Sequence, residues 1–374
     1  VSAPGKRTIL VMAAGTGGHV FPGLAIAAEL AARGWDVAWM GTPKGMENAL
    51  VAKAGYPMTH VSMSGIRGKG LLSYVFLPLK ILIAFWQATV AIFRVRPHVV
   101  LSMGGYVAFP GGMMAVLWGR PLVVHEPGAV AGITNRALAL VADRVVVGLE
   151  GAFDRPIAHA LARHLPKPAR VENLGTPVRA EIEAVPSPEA RLAGREGRLR
   201  LLVVGGSLGA QTMNDLVLAT LKSMGAEERP EVVHQAGAKL HDALSTQYRE
   251  AGVAAEVVPF IDDMAARYAW CDVLICRSGA VTVAEIGTAG IAAILFPLPW
   301  FVADEQKANA NFLAAKDAGI ALDQLATTPD SLATVLRGLT REKLRDTASR
   351  ARALGRPGAA AHCADLCEEL ARAA

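Results

Sequence analysis

Residues 9–24 read Ile-Leu-Val-Met-Ala-Ala-Gly-Thr-Gly-Gly-His-Val-Phe-Pro-Gly-Leu, and no other run constrains the fold as strongly. Four apolar residues, a glycine-rich turn bearing one histidine and a proline at the head of an apolar segment follow one another without a gap. The spacing predicts strand, tight loop, helix. Gly15, Gly17 and Gly18 lack a Cβ, so the loop can take positive φ and admit a ligand close to the backbone. Pro22 suits a first helical turn, where its missing N–H costs nothing. Uncapped N–H groups at such a helix start favour an anion, typically a phosphate. His19 stands where this loop would meet its ligand.

The unit recurs. Residues 99–112 again read as strand, glycine loop and apolar helix, and 121–125 as a buried strand ending in His125-Glu126-Pro127-Gly128. A helix over 24–32, stopped by Gly34, leads to a strand over 36–40. Residues 199–210 and 272–285 restart the pattern, with a strand end at 257–261, an acidic helix start at Asp262-Asp263, and a last apolar strand at 292–297. Strands alternating with helices indicate parallel, doubly wound sheets. A chain of 374 residues exceeds one ordinary core. The expectation is therefore α/β, with two Rossmann-like domains facing a cleft. The first takes residues 1–178 and the second 179–358, with a C-terminal helix over 359–374 packing back on the first. Prolines 156, 166, 168, 177, 186 and 188 mark 150–198 as the end of the first domain and an interdomain connection.

Composition narrows the partners. A formal charge of +5 suits anionic small molecules or an anionic membrane surface, and is too weak to argue for nucleic acid. Four cysteines make no disulfide framework in a chain this size and indicate a reducing compartment. His362, Cys363 and Cys367 share a helix face, but in an alanine-rich helix they read as packing, so no metal is expected. The first residues carry no apolar signal region. Residues 71–93 are apolar almost throughout, just long enough to span a bilayer. Pro78, Lys80 and Gln87 argue against a span. A buried helix, and one face dipping into a membrane surface with Phe85 or Trp86 outward and Arg67, Lys69, Lys80 and Arg94 meeting lipid phosphates, both remain open.

Neither glycine loop is a dinucleotide fingerprint. In G-T-G-G-H-V the third glycine is replaced by Val20, G-G-S-L-G-A has other spacing, and no Walker lysine follows. Redox cofactors and ATP are poor candidates, so no cofactor is expected. Phosphate-tolerant loops on two domains instead point to a nucleotide-bearing substrate met by a second substrate.

These motifs in order, with S-G-I-R-G-K-G, S-M-G-G-Y-V, H-E, G-T-P-V-R, F-I-D-D-M, C-R-S-G-A-V-T-V-A-E and D-E-Q-K-A-N-A, resemble the MurG family from about residue 7 to 370. That family comprises the UDP-N-acetylglucosamine transferases that convert lipid I to lipid II in bacterial cell-wall synthesis. The resemblance implies a GT-B fold and an inverting transfer without a cofactor. It also implies peripheral attachment to the cytoplasmic face of the plasma membrane, with room for cell-wall synthesis proteins as partners. By position, His19 is the general-base candidate, and Thr16, Gly17 and Gly18 line the donor–acceptor cleft. Arg179 and Ser207 go to the donor, and Ile261 to the uracil through its backbone. Ala280, Val281, Thr282, Val283, Ala284 and Glu285 hold diphosphate and ribose, with Glu285 accepting from the ribose hydroxyls; Gln306 completes the sugar pocket. The resemblance also implies that the acceptor diphosphate lies near the loops around Thr16 to His19 and around Gly104, Gly105 and Tyr106, with Gly15, His125 and Glu126 on the same side.

The chain departs from the family pattern at three places. Pro127-Gly128 stands where the family reads Gln-Asn, so Gly128 takes the place of a donor-sugar contact. Leu208 stands where glutamine is usual, and Trp300-Phe-Val302 replaces more polar residues. Two rival readings accompany the main one: another GT-B transferase with a different sugar or lipid acceptor, and a non-catalytic nucleotide-sugar-binding membrane scaffold.

Overall fold

The computed structural model describes residues 6–63, 76–156, 165–206, 209–299 and 304–373. The chain divides into two compact units, Val1–Arg179 with Arg356–Ala374, and Ala180–Gly355. The first leaves the sequence at Arg179 and resumes at Arg356, against the expected 178 and 359.

The first unit holds seven parallel strands: β1 (Thr8–Ala13), β2 (Asp36–Gly41), β3 (Met58–His60), β4 (Val99–Gly104), β5 (Leu122–Glu126), β6 (Arg144–Val147) and β7 (Glu172–Asn173). Their order is β3-β2-β1-β4-β5-β6-β7. All six residues of β1 are buried, as they must be in a parallel sheet covered on both faces. The order reverses between β1 and β4. In an open parallel sheet the loops leaving two such strands diverge to opposite faces and open a ligand crevice at their carboxyl ends. The second unit repeats the device with β8 (Arg200–Val204), β9 (Glu231–Gln235), β10 (Glu256–Val258), β11 (Val273–Cys276), β12 (Ala293–Leu295) and β13 (Ile320–Ala321), in the order β10-β9-β8-β11-β12-β13. Its reversal falls between β8 and β11. The strand–glycine-loop–helix motifs of the sequence are thus the loops at the two switch points.

Several local expectations change. Helix α1 runs Gly17–Ala32, not from residue 24, so Gly17, Gly18 and His19 form its first turn and Pro22 lies within it. Pro22 forfeits the bond that its position would otherwise make to the Gly18 carbonyl four residues back. Only Gly15 of the three loop glycines takes positive φ, at +97°. The stretch 150–198 is more than a connection. It carries β7, and its last part forms short helices α6 (Ala180–Glu183) and α7 (Pro188–Leu192) belonging to the second unit. There the buried Arg191 guanidinium donates to the carbonyls of Ala289 and Gly290.

The C-terminal helix, Ala359–Ala373, packs on α1 through Cys363, Ala364, Leu366, Cys367 and Leu370. Trp35 donates its indole N–H to Glu368 at 3.1 Å. In the second unit the buried Asp272 carboxylate takes Arg195 at 2.7 Å, Arg341 at 3.1 Å and the Arg200 N–H at 3.0 Å. A buried carboxylate is tolerable only when so paired.

The apolar stretch resolves into a helix over Leu77–Val95. It is long and apolar enough to cross a membrane, yet it packs on the first sheet through one narrow stripe, Ala84, Ala88, Ala91 and Ile92. Leu79, Leu82, Ile83, Trp86, Val90 and Phe93 face outward, Trp86 with 69% of its surface exposed. Phe85 does not face outward as expected: it is half-buried, edge-on to Phe109 at 6.0 Å. Lys80 and Arg94 are exposed, while Arg67 and Lys69 lie outside the described residues.

Two buried histidines make stability pH-dependent. Burial drives His125 down to about 4 and His234 to about 3, from an ordinary 6.5. His234 sits between the Tyr248 hydroxyl and the Asn214 side chain. Both are neutral in the fold, whereas the unfolded chain binds these protons below pH 6.5. Their contribution is therefore full above pH 6.5 and is lost as pH falls toward 4 and 3, at up to about 1.4 kcal/mol per pH unit each. Denaturant titrations from about pH 7 down to about pH 5 should show this decline.

Candidate functional site

In the first unit the two switch-point loops meet at His19. Gly104 and Gly105 have φ of +104° and +88°. A Cβ on Gly104 would lie 3.1 Å from His19 Nε2, and one on Gly105 would lie 2.6 Å from the Ala14 carbonyl oxygen. Glycine is required at both positions, for conformation and for space. The half-buried His19 ring also has Thr16 Oγ1 at 3.5 Å from Nδ1. Burial lowers its basicity, and a hydrogen bond to the Ala14 carbonyl only partly restores it. The ring is therefore neutral near pH 7, as a proton acceptor must be.

Thr16 is the N-cap of α1, but its side chain makes no capping bond. The His19 and Val20 N–H groups bond back to the Thr16 carbonyl at 3.1 and 3.3 Å, which leaves the Gly17 and Gly18 N–H groups for an anion. Gly15 behaves otherwise. Its N–H donates to Glu47, at 3.3 Å, and is not offered to a ligand. Glu47, fully buried, also accepts from the Thr42 N–H at 2.8 Å and the Thr42 hydroxyl at 2.6 Å. Burial alone would raise this carboxyl, but those bonds outweigh it and hold it below its ordinary range.

His125 and Glu126 are brought beside these loops but are buried. His125 donates from Nε2 to the Gly175 carbonyl at 2.9 Å. Glu126 accepts from the N–H groups of Gly128 and Gly132, both at 3.1 Å, and from the Asn135 amide at 3.0 Å. They shape the 127–132 loop from within. Gly128 is itself buried, with its N–H committed to Glu126. A Cβ on Gly104 would also lie 3.4 Å from the Asn135 amide nitrogen, so Asn135 lines the same space. Tyr106, by contrast, is exposed.

In the second unit, helix α11 begins at Ala280, behind N-cap Gly279, again with no capping side chain, counting α8 (Gln211–Ser223), α9 (His241–Glu250) and α10 (Met264–Trp270) before it. The N–H groups of Ala280, Val281 and Thr282 head this helix; Ala284 is half-buried and Val283 points into the core. Glu285 is buried and accepts from the Tyr268 hydroxyl at 2.9 Å. The Ile261 N–H is bound by the Gln235 side chain at 3.0 Å, whose amide donates to the Gly206 carbonyl at 3.1 Å. An open pocket of about 480 Å³ adjoins it, lined by Phe260, Ile261, Asp263, Ala266 and Trp270 among others. Asp263 caps α10 by accepting from the Ala266 N–H at 2.9 Å. Gln306 accepts from the Leu298 N–H at 3.1 Å, and its backbone carbonyl takes the Ser278 hydroxyl. Arg179 is exposed at the end of the first unit; Ser207, Leu208 and 300–302 lie outside the described residues. Among the described residues no three His, Cys, Asp or Glu side chains converge as a metal site.

Glu47, Asn135, Gln235 and Tyr268 were not anticipated. Each acts on backbone or on another side chain from outside the glycine motifs. The one sequence signal is Thr42-Pro-Lys-Gly-Met-Glu47, a loop after β2 with a carboxylate at the next helix start.

Two parallel-sheet units with glycine loops at their switch points define a two-domain glycosyltransferase of the GT-B class. Residues 9–147 match the glycosyltransferase family 28 N-terminal domain and residues 200–366 its C-terminal domain. A Ralstonia nicotianae protein named UDP-N-acetylglucosamine–N-acetylmuramyl-(pentapeptide) pyrophosphoryl-undecaprenol N-acetylglucosamine transferase is 51% identical over 376 residues, covering 100% of this chain and 99% of its own. A protein of the same name from Aromatoleum aromaticum is 52% identical over 365 residues, 98% of each. The crystal structure of Acinetobacter baumannii MurG matches with a TM-score of 0.83 at 36% identity, covering 97% of this chain and 99% of that one. The chain belongs to the MurG family of family 28 glycosyltransferases.

Glu47→Ala removes one acceptor from three donors. It should cost about 2 kcal/mol or more in denaturant unfolding, from the buried donors left unmatched. Gly104→Ala should fold less stably and slow turnover at least about tenfold, because its methyl meets His19.

Proposed function

We propose that this chain transfers N-acetylglucosamine from its UDP diphosphate to the undecaprenyl-diphosphate-linked N-acetylmuramyl-pentapeptide, forming lipid II from lipid I with inversion at the anomeric carbon. The observation that carries this reading is the full-length likeness, at about half identity, to relatives named for that reaction.

His19 takes the proton from the acceptor hydroxyl as that oxygen attacks the anomeric carbon. Its neutral ring and its place where the two glycine loops meet support this. The Gly17 and Gly18 N–H groups at the head of α1 bind the acceptor's diphosphate, with Tyr106 and the Gly104-Gly105 loop beside it. In the second unit the uncapped start of α11 takes the donor diphosphate and stabilises its charge as it leaves. Glu285 accepts from the ribose hydroxyls. Ile261 and the adjoining pocket receive the uracil, Gln306 the sugar, and Arg179 the donor's charge. Ser207 belongs to the same donor set by position. The first unit is thus the acceptor and membrane unit, the second the donor unit.

The exposed face of the helix over Leu77–Val95 supports attachment to the cytoplasmic surface of the plasma membrane. Phe93 extends it by packing against Trp118 at 4.8 Å, beside the exposed Leu117. Lys80, Arg94 and Arg96 border this patch and suit anionic headgroups.

Transfer of labelled N-acetylglucosamine onto a lipid I analogue tests the reading directly; absence of both transfer and UDP release refutes it. His19→Ala should lower kcat by about 10²–10⁴ while UDP still binds. Because burial lowers the His19 pKa, the acid limb of the kcat/KM profile should fall below 6.5 and disappear in the variant. Leu82→Ser with Trp86→Ser should weaken co-sedimentation with anionic vesicles by about tenfold or more, leaving transfer to a detergent-soluble acceptor in place.

A further inference from the structure

Helix α10 carries two things on different faces. One side lines the open pocket beside Ile261 with Ala266, Arg267 and Trp270. The other presents Tyr268, 2% exposed, whose hydroxyl donates to Glu285 Oε2 at 2.9 Å on a separate helix. Both ends of this contact are fixed. Asp263 caps α10, and Arg267 of the same helix forms a doubly bonded ion pair with Glu256 on β10. Helix α11 ends at Gly290, at φ +65° where a side chain is strained, and a Cβ on Gly287 would come within 3.3 Å of the Gly355 backbone.

A carboxylate 9% exposed stays ionised only where donors meet it. The buried thiols of Cys271 and Cys276 nearby are no such help, since burial pushes both up and keeps them neutral. Burial first, and then the Glu285 charge, push the Tyr268 phenol far above its ordinary range, so it is a donor at every working pH. Phenylalanine would fill the same space without that bond, so packing alone gives no reason for a hydroxyl here.

We infer that Tyr268 is a positioning residue for donor recognition: its hydroxyl holds the Glu285 carboxylate in the orientation that reads the ribose hydroxyls, and so sets the preference for a ribonucleotide over a deoxynucleotide donor. This rests on the reading of Glu285 as the ribose contact. Tyr268 touches no part of the substrate itself.

The test compares UDP with 2′,3′-dideoxy-UDP as competitors of the full-length protein, by calorimetry and by inhibition of transfer. The unsubstituted protein should favour UDP by at least about tenfold, the value of hydrogen bonds to a charged acceptor. Tyr268→Phe should cut that ratio about three- to tenfold by weakening UDP alone, and the loss should appear in the donor KM much more than in kcat. Glu285→Gln should cut it at least as far. A Tyr268→Phe ratio equal to the unsubstituted one, with Glu285→Gln reduced, overturns the inference. So does an equal loss for both diphosphates, which would mark a general structural defect. A Glu285→Gln ratio that stays unchanged refutes the ribose reading beneath it. Where Tyr268→Phe does not fold, Tyr268→3-fluorotyrosine keeps the bond with a more acidic hydroxyl. The ratio should then rise with the stronger bond, and an unchanged or lower ratio overturns the inference.

Discussion

The Glu47 carboxylate is the contact on which the first unit's site depends. It is buried, yet it is held charged by two N–H groups and a hydroxyl from the loops after β1 and β2. Without it the Gly15 turn would have an unmatched N–H and no fixed geometry. With it, the start of α1 is set, and His19 follows three residues after the N-cap. The remaining constraint comes from the other side, where Gly104 at the end of β4, in positive φ, clears the space that His19 Nε2 occupies, and Gly105 clears the Ala14 carbonyl. One charged anchor and one steric opening together define where the imidazole sits.

That arrangement explains which parts were legible in the sequence. Strand–loop–helix units were visible because buried parallel strands are apolar runs and their loops need glycine. Their placement at the switch points was not visible, because strand order is a long-range property that no local pattern encodes. Pro22 misled for a related reason. Proline is commonest at a helix start, yet here it is the sixth residue of α1. The boundary near Arg179 showed as a change of pattern, but α6 and α7 were hidden in a proline-rich stretch because their pairing partner, the Ala289–Gly290 turn, lies about a hundred residues later.

The site was legible unevenly for a physical reason. Of the residues recognised by type, His19 lies in the first turn of α1 and Glu285 lies within α11. Residues whose work is to bind other protein groups carry no local signature. Glu126 and His125 read as ligand contacts because they end a strand at the crevice, yet the Glu126 carboxylate is turned to Gly128, Gly132 and Asn135, and His125 Nε2 to Gly175. Sequence gives the residue and its neighbourhood; only the bonds tell whether it faces the ligand or the loop.

The charge balance follows the same division. An imidazole stays neutral near pH 7 when no ionised carboxylate reaches its ring to raise its pKa. Glu47 and Glu126 are the buried carboxylates of the loops around it, and both are bound to the backbone, their charge answered by N–H groups of the loops they support. His19 is left with a hydroxyl and a carbonyl for company, and burial then lowers its pKa. The two buried carboxylates therefore give the loops their rigidity without making the imidazole a cation.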